Sequence, residues 1–555
     1  MSFDFSYVDV AFKNGKVITV NEKNEMCEAV GVKGNKIVFV GSNNDLEKII
    51  DKNTKVYDLG GKTLMPGMID SHIHPFLLAL LGTEPDSPMI SLFGGSIKSI
   101  ADIKANIDRA LAIKKKGEWI SMWGYEAPNL AEKRDPTIDE LNSFAPDNPV
   151  QCMEGSGHKC MFNSKALETI GVFTAEDAKK YPQGDIEVKD GKLTGMAYGV
   201  TSFLLWSKVY YPVDKLEKAV VRVGNEMVSK GLTSIHDMGA LDKPSYHLMQ
   251  RLCRERKFKP RVYMALHSIF GKPFSKEDNA HYLALGLRPG LGDIYFKIGS
   301  NKFMIDGGSS GPSCFTRKPY DHDPTLMREK AWTREEVAEY IEFINDEEGQ
   351  ATAHAIGDGA VEYMVEGYEK AFAKNPRPDL RHRIEHCTLT DQDLIDRMAK
   401  MNICPSVNAG IVAKNGGNYQ RFYGERNKYF GALKSMLAAG MKPSLQSDSP
   451  SGPYGFECLD GAINRYDRVR NIQCDTTQAI PVLDAIRVAT LYGAYGSFEE
   501  NIKGSIETGK LADMIVLDCD ILGIDKFDIN KVNVDLTMID GEVCYLSENG
   551  KEKFK

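Results

Sequence analysis

The spacing of three residues constrains this chain more than any other feature. His354, His386 and Asp448 are separated by 32 and then 62 residues. A closed barrel of alternating strands and helices spends about 250 residues on eight units, or roughly 31 per unit. The intervals therefore predict that these residues lie one and two units apart, each at the end of its own strand. Short apolar segments accompany them at residues 234–236, 261–266, 301–305, 350–354, 383–386 and 444–448. Amphipathic stretches lie between, as at residues 333–341, where Thr333 and Glu336 form a capping box. Such alternation is the signature of a parallel sheet covered by helices, an α/β class fold.

The first strand of this barrel is marked by Pro66-Gly67-Met68-Ile69-Asp70-Ser71-His72-Ile73-His74. Alternate side chains of a strand share a face, so His72 and His74 aim two imidazoles at one point. Taken alone, a His-x-His is also read as two solvated histidines at a strand end. From His72 to Asp448 the chain runs 376 residues, well beyond eight plain units. An insertion is therefore expected, placed in the turn-rich, irregular stretch at about 85–215.

The first sixty residues read as short strands, with Asn14-Gly15 and Gly34-Asn35 as hairpin turns. The pattern returns at residues 512–518 and 534–545. Neither end is large enough to bury a core alone. The two are expected to join as a composite β-sandwich, residues 1–66 plus 504–555, around a barrel of residues 67–503.

Hydrophobic residues make up 42% of the chain and charged residues 26%, a globular composition. A net charge of -8 gives no basic field for nucleic acid or acidic membranes, which leaves a small molecule as the expected partner. The apolar run Phe76-Leu77-Leu78-Ala79-Leu80-Leu81 is far shorter than the roughly 20 residues of a bilayer span, so an inner helix is expected there. The first residues carry no cationic segment followed by an apolar run, which suggests a cytoplasmic protein. Eleven cysteines without a Cys-x-x-Cys pair suggest reduced thiols. A homodimer is compatible with all of this.

Several segments then stand in a telling order. After Pro66–His74 come His158-x-x-x-x-Asn163-Ser164-x-Ala166-Leu167, Lys302-x-x-x-Asp306-Gly307, His354-Ala355-Ile356-Gly357-Asp358, Arg383-Ile384-Glu385-His386 and Ser447-Asp448-x-Pro450. Gly504-Ser505-Ile506-Glu507-Thr508-Gly509-Lys510-Leu511-Ala512-Asp513 follows. Together they resemble the amidohydrolase superfamily, and within it amidohydrolase family 3, the YtcJ-like metal-dependent hydrolases. The resemblance implies a (β/α)8 barrel of TIM type, with its site at the C-terminal strand ends and a β-sandwich built from both termini. His72 and His74 are then metal ligands from the first strand, His354 and His386 from the fifth and sixth, with Asp448 at the eighth. The implied cofactor is a divalent metal, zinc before others, as one or two ions. Imidazoles and a carboxylate from separate strand ends suit such an ion and leave a position open for water.

The same resemblance makes Lys302 a metal-bridging residue once carboxylated; an unmodified lysine that binds substrate or pairs with Asp306 is the other reading. Lys297 competes with Lys302, but the two differ by an odd number and point to opposite faces of a regular strand. Asp448 can take a proton from metal-activated water and return it to a leaving nitrogen. A turn or helix cap is the plainer role for Ser447-Asp448-Ser449-Pro450. His158, in the insertion, is read as a catalytic group that polarises a carbonyl, or as a surface histidine. Asp306 and His236 are read as substrate-binding, with an Asp-Gly turn and a core histidine as the alternatives. Phe315, with Tyr320 and Tyr423, either lines a pocket for an apolar group or simply packs. The glycine run 307–311 lacks phosphate-loop features and is expected to be a flexible active-site loop.

The function expected is metal-dependent hydrolysis of a non-peptide carbon–nitrogen bond in a small amide, with N-substituted formamides or N-acyl compounds first to test. Ester or lactone hydrolysis, deamination, decarboxylation and carbon–carbon cleavage use similar sites, because fold and metal do not fix the reaction. A retired barrel serving as scaffold is disfavoured, since every ligand and Asp448 are present.

Overall fold

The computed structural model describes residues 7–84, 87–181, 185–206, 208–209, 216–267, 276–309, 312–328, 330 and 332–554. Residues 1–6, the ends of the expected insertion at 85 and 215, and positions 310–311 of the glycine run lie outside them. Eight parallel strands stand side by side in chain order: Met68–Ile73, Leu232–Asp237, Arg261–Leu266, Phe296–Met304, Ala351–Ala355, Arg383–His386, Cys404–Val407 and Ser444–Leu445. Most of their residues are buried, as expected of parallel strands covered on both faces. The eighth strand meets the first through single contacts. Ser71 Oγ donates to Leu445 O at 2.9 Å, Asp448 N–H to His72 O at 2.8 Å, and His74 N–H to Ser449 O at 3.1 Å. This closure sets Asp448 beside the His-x-His pair.

The seventh strand was not among the expected ones. Cys404–Val407 is four residues long and contains Pro405, which has no N–H for a ladder and normally argues against a strand. The fourth strand also begins earlier than expected, at Phe296, and carries a bulge: Met264 pairs with Ile298, but Leu266 pairs with Asn301. The helix Arg334–Asp346 starts at Thr333 with the expected capping box to Glu336. Pro75–Leu80 is a short buried helix, and no helix among the described residues is long and apolar enough to cross a membrane.

The insertion is more regular than its turn-rich sequence suggests. It builds a seven-stranded sheet in the order Ile186–Lys189, Lys192–Tyr198, Lys159–Phe162, Val150–Glu154, Ile120–Tyr125, Met89–Ser91, Leu81–Gly82. Ile90, Ile103, Ile107, Met122 and Leu141 form a core of its own beneath the helix Ile100–Leu111. Its strands are mostly two to five residues long, too short to show a period against the intervening glycines.

The termini form two sheets, with strands from both ends in the second. One comprises Lys36–Gly41, Ala29–Lys33, Val10–Lys13 and Lys55–Asp58; the other runs Glu542–Leu546, Val534–Ile539, Met514–Leu517, Thr63–Pro66, Lys16–Ile18, Met26–Cys27. Phe12, Val30, Tyr57, Met514, Val516 and Leu536 fill the space between them. A buried ion pair ties this sandwich to the barrel: Arg261, opening the third strand, donates to both oxygens of Asp513 at 2.7 and 2.9 Å. Removing one partner of a buried pair strands the other charge, at a cost of about 3–5 kcal/mol. Arg261→Met should lower unfolding stability by that amount in urea titration; a loss below about 1 kcal/mol would show the pair to be dispensable.

His382 fixes the start of the fifth and sixth strands. Its Nδ1 accepts the Ala351 N–H at 3.0 Å, and Nε2–H donates to Asn345 Oδ1 at 3.1 Å. Burial pulls its pKa down to about 3. Between pH 6.5 and about 3 the unfolded chain binds a proton here that the folded chain refuses, so this site lowers stability as pH falls. The slope is about 1.4 kcal/mol per pH unit, and the effect is absent above 6.5. Unfolding titrations of His382→Gln between pH 6.5 and 4.5 should show a correspondingly shallower pH slope than the parent; equal slopes would contradict this assignment.

Candidate functional site

At the C-terminal mouth of the barrel the strand ends bring the predicted ligands together. His72 Nε2 and His74 Nε2 lie 3.2 Å apart, and each is 3.5 Å from Asp448 Oδ1. One ligand atom from each of His72, His386 and Asp448 falls within 4.8 Å of the others. The rings of His386 and His354 are 4.3 Å apart, and those of His354 and His158 4.6 Å. Tetrahedral coordination with metal–nitrogen bonds of about 2.0–2.1 Å sets ligand atoms about 3.3–3.4 Å apart, so the spacing fits a zinc-type cation. Burial holds His72, His354 and His386 well below the ordinary imidazole pKa and also lowers His74, keeping neutral rings with lone pairs to offer.

Neighbouring groups select which nitrogen carries that lone pair. Glu385 Oε2 lies 2.8 Å from His72 Nδ1, so the proton sits there and Nε2 is left for a metal. His354 Nε2 is 3.1 Å from Gly307 O; a carbonyl accepts only, so Nε2 is protonated and Nδ1 carries the lone pair. The Gln446 amide is 2.8 Å from His386 Nδ1, while His386 Nε2 is buried with no protein partner. Turned over, that amide presents its oxygen to Nδ1–H and leaves Nε2 to ligate. His386 and Asp448 both hold left-handed backbone conformations, at φ +69° and +55°. Each costs about 1–3 kcal/mol and is retained where the surroundings force it.

Lys302 Nζ stands 3.1 Å from His72 Nε2, and burial lowers its pKa to about 8. Lys297 instead pairs with Glu499 at 2.9 Å. The parity argument between the two lysines fails, because the bulge between Ile298 and Asn301 adds a residue; position along the strand separates them instead. His158 reaches the mouth from the insertion, against His354 and Gly308, and burial lowers its pKa to about 4. Residues 448–451 form a turn, and the next helix starts only at Phe456, so Asp448 caps no helix.

The three residues read as substrate-binding each have protein partners, and Asp306 Oδ1 also lies 3.7 Å from His354 Nε2. Asp306 accepts backbone N–H groups from Phe315, Ile356 and Gly357 at 2.8–3.0 Å, so its carboxylate holds loops together. His236 is fully buried below the cluster, its Nδ1 2.8 Å from Arg383 Nη1. Phe315 packs its ring on Tyr363 and flush against Gly359. Tyr320 and Tyr423 surround the Cys314 thiol, and Tyr423 also donates to Ser309 O at 3.2 Å, bracing the described part of the glycine-rich loop. All eleven cysteines are free.

The sequence reading assigned no role to Glu385. It accepts from His72, from Arg383 Nε at 2.7 Å and from Thr352 Oγ1 at 2.8 Å, binding three strands beneath the ligands. The signal was present in Arg383-Ile384-Glu385-His386: a charged pair inside a barrel strand has to find partners inward. Glu385→Gln keeps the shape but weakens the grip on Nδ1–H, and should lower metal affinity about 10–100-fold in competitive chelator titration. Unchanged affinity would remove Glu385 from the site.

Known proteins resemble this chain in sequence and in fold. The sequence profile of the amidohydrolase family matches residues 55–545. The chain is 26% identical over 548 residues to N-substituted formamide deformylase from Arthrobacter pascens, covering 97% of this chain and 98% of that protein. An uncharacterized metal-dependent hydrolase from Pyrococcus horikoshii superposes with a TM-score of 0.71 at 23% identity, over 93% of this chain and 99% of that one. Atrazine chlorohydrolase TrzN from Arthrobacter aurescens, complexed with zinc, shares the fold at a TM-score of 0.53 and 12% identity, over 98% and 100% of the two chains. With a family match spanning most of its length and the strand-end histidines in place, the chain belongs to the amidohydrolase family.

Proposed function

We propose that this protein hydrolyses a non-peptide carbon–nitrogen bond of a small amide, using a divalent metal held by His72, His74, His354, His386 and Asp448. The carrying observation is the spacing of His72 Nε2, His74 Nε2 and Asp448 Oδ1, 3.2–3.5 Å from one another, which suits one cation. A bound zinc-type ion supplies Lewis acidity and lowers the pKa of its water from 15.7 to about 7. Asp448 stands where it can take a proton from the attacking water and hand it to the leaving nitrogen. His158, neutral down to about pH 4, offers a dipole rather than a charge toward the substrate carbonyl from the insertion side.

Lys302 fits the same reading as a carboxylated lysine. Its pKa of about 8 makes the neutral amine accessible near physiological pH, and the neutral amine is the form that adds carbon dioxide. Deprotonation of the ammonium followed by addition of carbon dioxide forms a nitrogen–carbon bond and releases two protons in all, turning a cation beside His72 into an anion. An ammonium 3.1 Å from His72 Nε2 opposes a bound metal, whereas a carbamate supports one. N-substituted formamides are the first substrates to test, because the formamide deformylase relative aligns over 97% of this chain.

The test is a panel of N-substituted formamides, acetamides and matched esters, scored for released amine, alcohol and acid. Activity should vanish on chelation and return with zinc, cobalt or manganese. Asp448→Asn should lower kcat by about 10²–10⁴-fold, with metal content measured alongside. Full turnover by the metal-free protein would overturn the proposal, and cleavage of esters without amides would move the reaction to another bond.

A further inference from the structure

Lys414, in the first turn of the helix Val412–Tyr423, stands where the insertion meets the barrel. Its Nζ lies 3.1 Å from Glu126 Oε1 in the insertion and donates to Ser451 O at 3.2 Å in the turn that begins with Asp448. The Phe93 ring, also from the insertion, lies 5.0 Å from the same ammonium, within cation–π range. One group therefore meets three partners on two separate parts of the chain.

Each part leads to a group at the mouth. Ser451 N–H donates to Asp448 O at 2.9 Å, closing the turn in which Asp448 holds its left-handed backbone. A strained residue keeps its conformation only while its surroundings enforce it. On the other side, Glu126 directly follows the strand Ile120–Tyr125, and Gly155 N–H donates to Tyr125 O at 2.8 Å. A Cβ at Gly155 would stand 3.3 Å from Glu126 Cγ and Oε1, so this carboxylate lies against the turn at residues 155–158. Glu154 Oε2 accepts from Ser156 N–H at 2.9 Å and Ser156 Oγ at 2.6 Å, and His158 N–H donates to Ser156 Oγ at 3.2 Å. A run of contacts thus leads from Lys414 to His158 in one direction and to Asp448 in the other.

Exposed ion pairs contribute little, but Glu126 is only 8% exposed, and its second oxygen accepts from Asn129 Nδ2 at 2.8 Å. Arg470 donates to Asn129 Oδ1 at 2.8 Å and to Lys414 O at 3.0 Å, which holds both sides of the pair. The seam borders a cavity of about 410 Å³ lined by Phe93, Gly94, Lys414, Pro450, Ser451 and Gly452, so polar contacts rather than close packing join its sides there. We propose that Lys414 is a positioning residue: its ammonium joins the insertion to the Asp448 turn and thereby fixes His158 relative to Asp448. This rests on the reading of those two residues as catalytic groups of an amide hydrolase, and deepens it by making the insertion part of the catalytic geometry.

Lys414→Met alone strands the Glu126 carboxylate, so the test adds Lys414→Met/Glu126→Gln, which removes both charges, and Lys414→Arg, which keeps the cation. Zinc-loaded parent and variants are compared for metal content, for kcat on the amides that the parent cleaves, and for amide hydrogen exchange. Misplacing a reacting group by about 1 Å costs about 100-fold, so the double variant should lose about 10- to 100-fold in kcat at unchanged metal content, and Lys414→Arg less than about 3-fold. Exchange should quicken at residues 155–158 and 448–451 but not at Arg383–His386, which the Glu385 brace holds. Unchanged exchange at either turn, or quickening at all three segments, would overturn the inference, as would an unchanged kcat with both turns loosened. A parent that cleaves no amide overturns the amide reading; exchange then decides alone whether Lys414 joins the two turns.

Discussion

A single buried carboxylate supports the metal-binding mouth of this barrel. Glu385 is fully buried, and its charge is balanced by Arg383, which donates to both of its oxygens at 2.7 and 3.1 Å. Arg383 continues to Ser71 O on the first strand at 2.8 Å and to His236 on the second, while Glu385 itself reaches His72 and Thr352. Strands one, two, five and six are thus cross-braced directly below the imidazoles. A network of this kind is stable only when every member is satisfied, and then it is stiff. Stiffness is what a metal site needs, because ligand positions have to be set before the ion arrives.

The remaining elements position groups above that brace. The composite sandwich anchors the start of the third strand through Arg261 and Asp513, away from the mouth. The insertion carries His158 over the opening, where the Gly308 backbone lies so close that a Cβ there would stand 3.2 Å from the imidazole. Tyr419 and Tyr423 hold Ser309 from the opposite side. Barrel, sandwich and insertion thus contribute different parts: the strand-end cluster, an anchor for the third strand, and His158 at the mouth.

Much of this was legible in the sequence, for physical reasons that differ by residue. His354, His386 and Asp448 were readable because the βα unit has a nearly fixed length, so chemistry-bearing residues recur at its period. His72 and His74 were readable from the two-residue period of a strand. The seventh strand was missed because it contains Pro405 and is only four residues long. Lys302 was identified, but the parity used to separate it from Lys297 was undone by a bulge that no local sequence pattern announces. Asp306 and Phe315 each carried two readings in the sequence, substrate contact or a structural role, because a motif position or an aromatic ring alone does not fix a partner. In three dimensions Asp306 satisfies backbone donors and Phe315 packs on a helix.

The central claim is that strand-end histidines and Asp448 hold a divalent metal whose coordination is set by the brace below. X-ray absorption at the metal edge of the zinc-loaded protein tests it most directly. A first shell of nitrogen and oxygen at about 2.0–2.2 Å, with the outer scattering of several imidazoles, is the predicted result, and it should be lost in His72→Ala/His74→Ala. A sulfur shell near 2.3 Å, or an unchanged spectrum in the double variant, would place the metal elsewhere and contradict the account.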